Sequence, residues 1–89
     1  MSELKKVLDS ADMYIQEFAE IMQVHRITVH RWMRGGYVRQ AMTKKSLEML
    51  TRLIEKAVAG GHLPLKEEIT AKERLPAIKR ALRKANEDA

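Results

Sequence analysis

The chain has 89 residues, no cysteine and a formal charge of +5. A chain this short buries about 60 to 65 per cent of its unfolded surface, which argues against a deep catalytic cleft. The missing thiols exclude a disulfide frame and a thiolate metal site. With no long apolar run and no charged-then-apolar leader, the expectation is one cytoplasmic domain, residues 1–89, without a membrane span.

Apolar residues recur at helical spacing along most of the chain. Leu4, Val7, Leu8 and Ala11 stand at i, i+3, i+4 and i+7, the spacing of one buried helix stripe. Ile15, Phe18, Ala19 and Met22 repeat the pattern, with Asp12 the expected N-cap between the two helices. A basic third segment, VHRITVHRWMRGG at residues 24–36, is punctuated by Gly35 and Gly36. Thr43 is expected to open a longer helix that turns Leu47, Leu50, Ile54, Ala57 and Val58 inward and stops at Gly60 and Gly61. His62, Leu63 and Pro64 read as a connector. Thr70 and Glu73, at capping-box spacing, announce a last helix over about residues 71–86, with Leu75, Ile78, Leu82 and Ala85 as its stripe. Pro76 fits only in its first turn. The expected fold class is all-α, a small five-helix bundle.

Charge is distributed unevenly. Residues 1–20 carry a balance of −3 and residues 48–89 one of +2. Between Glu20 and Glu48 there is no acidic residue, while Arg26, Arg31, Arg34, Arg39, Lys44 and Lys45 give +6. A charge run is often only a solvated face, so the arrangement of the segment matters more than its sign. Turned 100 degrees per residue, Arg26, His30, Arg34, Ile27 and Arg31 fall at about 0, 40, 80, 100 and 140 degrees. Thr28, Trp32, Val29 and Met33 fall at about 200, 240, 300 and 340 degrees. One half is cationic apart from Ile27, and the other is apolar apart from one threonine. Val29 and Trp32 can therefore anchor the helix while the basic half points away from the domain, the arrangement a helix needs if its outer face is to meet phosphates and base edges.

The longer stretch IQEFAEIMQVHRITVHRWM, residues 15–33, resembles the helix-turn-helix of Cro and lambda-repressor-like regulators. Phe18 matches the apolar position of the first helix and Ala19 the small residue that lets two helices approach closely. Met22 and Val24 match the positions bracketing the turn, and Val29 and Trp32 the inward positions of the second helix. Where such a turn often has glycine, this chain has Gln23, for which a left-handed conformation costs about 1 kcal/mol. Where the second helix usually opens on Ser or Thr, this chain has His25. A weaker similarity links residues 14–36 to excisionase and MerR-like proteins, but the eight residues from Gly35 to Met42 lack a turn signal and are too few for a hairpin wing.

The resemblance implies a helix-turn-helix over about residues 14–34, its recognition helix at residues 25–34 in the major groove of double-stranded DNA. Arg26, Ile27, His30 and Arg31 match positions that reach bases. An arginine can bridge guanine O6 and N7, and an isoleucine suits a thymine methyl. His25, Arg34 and Gln16 match positions that touch the DNA backbone. Arg39, Lys44 and Lys45 join them as phosphate contacts on charge alone.

Blander roles apply elsewhere. Trp32, Phe18 and the methionines are expected in the core, and the run Lys79, Arg80, Arg83, Lys84 on a solvated helix face. His25 and His30 sit about 140 degrees apart on a helix and cannot share a metal. No catalytic triad order, phosphate-cradling loop or metal-ligand cluster is present, so neither an enzyme, a cofactor nor a small-molecule substrate is expected. The expected function is that of a small prophage or bacterial transcription regulator, a nucleoid-associated repressor acting as a homodimer. The last helix is its expected dimer contact unless it packs on its own domain. A DNA-bending accessory factor and a basic helical adaptor that binds an acidic protein are the alternatives. The adaptor has no need of Ala19, Val24 and Val29 at this spacing.

Overall fold

The apolar stripes turn inward in a computed structural model, which describes residues 2–35, 38, 40–66 and 68–87. They lie on five helices: α1 (Ser2–Ser10), α2 (Ile15–Met22), α3 (Arg26–Met33), α4 (Ala41–Ala59) and α5 (Ala71–Glu87). No strand occurs among the described residues. The core joins Leu4, Val7, Leu8 and Ala11 to Phe18 and Ala19 of α2, Val29 and Trp32 of α3, Leu47, Ile54 and Ala57 of α4, and Ile78, Ala81, Leu82 and Ala85 of α5, while Leu75 of the expected stripe is only half-buried. Complete burial of a side chain such as Phe18 or Leu4 contributes about 1.5–3 kcal/mol. α1 packs against both α3 and α4, α2 against α3, and α4 against α5. The radius of gyration is 12.6 Å, close to the roughly 12 Å of a compact chain of this length.

Three helices end in the same hydrogen-bond pattern. In each, a residue with positive φ lets its own amide and the next one cap two open carbonyls. After α1, Asp12 (φ 50) bonds Asp9 and Met13 bonds Leu8, at 3.2 and 2.9 Å. After α2, Gln23 (φ 59) bonds Glu20 and Val24 bonds Ala19, at 3.2 and 3.0 Å. After α4, Gly61 (φ 81) bonds Val58 and His62 bonds Ala57, at 3.2 and 2.8 Å. Gln23 thus adopts the left-handed conformation expected of a turn residue in place of glycine.

Asp12 differs from expectation. It does not N-cap α2 but ends α1, and Tyr14 is the N-cap residue, its amide donating to Glu17 Oε1 at 2.9 Å. Short polar residues favour both N-caps and left-handed ends, so aspartate alone does not discriminate between them. The start of α4 also differs, lying at Ala41 with Gln40 as N-cap. Thr43 sits in its first turn and donates its hydroxyl to Gln40 Oε1 at 3.2 Å.

α5 runs one residue beyond the expected end, and Pro76 lies in its second turn rather than its first. There the proline lacks the amide that would bond the Lys72 carbonyl. Both residues are exposed, so solvent is at hand for that carbonyl. Ile78, Ala81, Leu82 and Ala85 are buried in the chain's own core. These four side chains therefore pack on the domain and are not free for a dimer contact.

Candidate nucleic-acid interface

The basic surface is built on α3, which follows α2 across a short turn. Ala19 is 1% exposed beneath the turn, where a small side chain lets α2 and α3 approach. His25 opens α3 in an extended conformation, with Nδ1 accepting the Ile27 amide at 3.1 Å. The imidazole therefore performs the capping role that Ser or Thr commonly fills. Because Nδ1 accepts, the neutral ring carries its proton on Nε2. Gly35 (φ 86) closes α3, its amide bonding the Trp32 carbonyl at 3.1 Å.

Val29 and Trp32 are buried and hold α3 to the core, while Thr28 and Met33 are half-buried. Arg26, Ile27, His30, Arg31 and Arg34 are exposed, with Ile27 at 60%. None of these four basic side chains pairs with a carboxylate among the described residues. Ile27, His30, Arg31, Arg34 and Gly35 line one shallow depression of about 510 Å³. Arg31 also borders a second, of about 340 Å³, with Val24, Thr28, Trp32, Val38, Gln40 and Thr43. Arg31 is thus shared between the outer face of α3 and the cleft beside the first turn of α4. Such a surface offers cationic donors beside one apolar side chain.

The other expected contact residues spread around this centre. Gln16 is exposed in the first turn of α2 and donates through Nε2 to Glu20 Oε1 at 3.2 Å. Lys44 and Lys45 are exposed in the first turns of α4, Lys44 next in sequence to Thr43 of the second depression. Arg39 lies outside the described residues.

Sequence reasoning missed the cluster that holds α2 from behind. Glu17, which is buried, receives Arg74 Nε on Oε2 at 2.9 Å and Nη2 on Oε1 at 3.2 Å. Arg74 Nη2 also reaches the Asp12 carbonyl at 2.6 Å, and the guanidinium lies 4.4 Å from the centre of the Tyr14 ring. Hydrogen bonding to Glu17, followed by its charge and those of Tyr14 and Asp12, outweighs desolvation and raises the Arg74 pKa above arginine's ordinary value. The only local signal was Glu17 three residues after Tyr14, the capping-box spacing.

Comparison of the chain with known protein families, with characterised proteins and with solved structures found no match. Among the described residues no group of three or more His, Cys, Asp and Glu side chains is placed to hold a metal ion, and no helix is long and apolar enough to cross a membrane.

Proposed function

We propose that this chain is a sequence-specific double-stranded DNA-binding protein, a small transcription regulator that represses by occupying promoter DNA. In this reading α2 and α3 form a helix-turn-helix, and α3 enters the major groove. One observation carries it: Val29 and Trp32 are buried while Arg26, Ile27, His30 and Arg31 on the same short helix, and Arg34 at its C-cap, are exposed. Arg26, Ile27, His30 and Arg31 reach base edges. Gln16, His25, Arg34, Arg39, Lys44 and Lys45 bind backbone phosphates, and the Nε2 proton of His25 suits that role. The protein acts in the cytoplasm, on the nucleoid. A homodimer would place two recognition helices about 34 Å apart on a palindromic operator, through a surface other than the buried α5 stripe.

Selection from a pool of random duplex DNA at physiological salt, with affinity followed as salt rises, tests the proposal. Enrichment of a palindrome supports a sequence-reading dimer, and enrichment of one asymmetric site supports a monomer or an accessory factor. Weak binding without enrichment, abolished by salt, would reduce the basic face to an electrostatic surface.

A further inference from the structure

A second surface lies between the end of α2 and the outer side of α4, with Asn86 of α5 also lining it. Ile21 and Met22 form one wall of a shallow, mainly apolar trough of about 630 Å³, and Met49, Leu50 and Leu53 form its floor. Leu50 and Leu53 are half-buried against the core, whereas Met49 is 63% exposed. From Ser46 to Lys56 the trough follows α4 for about 15 Å, close to three helical turns.

Its charge is one-sided. Taking Met49 as 0 degrees, Leu53 and Leu50 stand at about 40 and 100 degrees on α4, while Lys56 and Arg52 stand at about −20 and −60. The two cations therefore form a rim along the edge away from Leu50. Both line the trough, no carboxylate does, and neither pairs with a carboxylate among the described residues. Glu48 and Glu55 lie further round, at about −100 and −120 degrees, outside it.

We infer that this trough is a docking site for an amphipathic helix of another polypeptide, one with an apolar stripe and carboxylates along one flank. The apolar floor receives the stripe, and the flexible side chains of Met22 and Met49 adapt to its shape. Arg52 and Lys56 meet the acidic flank and fix the helix's orientation. This surface is separate from the outer face of α3 and stands whether or not α3 binds DNA.

The test uses the full chain labelled at its methionine methyl groups. The probe is a synthetic helix of about 15 residues with leucines at i, i+3, i+4 and i+7 and glutamates beside them. A twin carries lysines in place of the glutamates. The acidic peptide is expected to move the Met22 and Met49 methyl resonances and to bind on the order of tenfold more tightly than its twin at low salt. Arg52→Glu with Lys56→Glu should reverse that preference, with the amide spectrum reporting that the fold is intact. Equal binding of the two peptides, no binding of either, or shifts centred on Met33 of α3 would overturn the inference. So would methyl shifts that depend on protein concentration without peptide, since a second copy would then occupy the trough.

Discussion

Arg74 ties the first turn of α5 to Glu17 of α2, its Nε 2.9 Å from Oε2 and its Nη2 3.2 Å from Oε1. Both side chains are largely shielded, at 15% and 10% exposure, so removing one partner strands the other in poor solvent. Arg74→Met is expected to destabilise the fold by about 1–3 kcal/mol in urea unfolding. Replacing Glu17 by Gln in the same chain should recover part of that loss. Simple additivity in the double-mutant cycle would mean the pair is not coupled.

The raised Arg74 pKa also fixes the pH dependence of this contribution. A group with a raised folded-state pKa stabilises the fold below its unfolded value and loses that effect only as pH climbs through the folded one. For arginine both values lie beyond the ordinary alkaline range. The stability gap between wild type and Arg74→Met should therefore not shrink from about pH 7 to about pH 10. A gap closing over that interval would contradict the assignment.

Ala19 lies buried in α2, the helix that packs against α3. Ala19→Leu should overpack that site at a cost of about 1–3 kcal/mol, lowering the thermal midpoint. A variant as stable as the parent would show that the two helices have room to spare.

The two unusual end residues give opposite expectations. Gln23→Gly removes the left-handed penalty at φ 59 and should stabilise by up to about 1 kcal/mol. His25→Ala removes the side-chain acceptor of the Ile27 amide and should cost about 0.5–2 kcal/mol, with His25→Ser restoring most of it. Denaturant midpoints of the three variants decide both.

Within the proposed DNA reading, Arg31→Ala should relax preference at one base pair by about 1–3 kcal/mol, while Lys44→Ala weakens all sequences alike. Competition between a selected duplex and random duplex separates the two effects. Equal losses on both duplexes for Arg31→Ala would remove Arg31 from base readout.

The helical stripes were legible because burial repeats with the period of the helix: Leu4, Phe18, Val29, Ile54 and Ile78 all stand where spacing put them. The outward turn of Arg26, His30 and Arg31 followed from the same geometry. Boundaries were harder to read. Asp12 suits either side of a turn, and Gln40 and Ala41 carry no strong start signal before Thr43. The grip of Arg74 on Glu17 was not legible at all. Opposite charges separated by 57 positions have many potential partners in sequence, and only the packing of five helices selects one.

α3 gives only Val29 and Trp32 wholly to the core. Exchange at Arg26, Ile27, His30 and Arg31 should leave the melting temperature nearly unchanged, since substitutions at exposed sites usually shift stability by no more than about 0.5 kcal/mol. The same scaffold can therefore display many different side-chain combinations on that face, and a library randomised at these positions should yield folded proteins at high frequency.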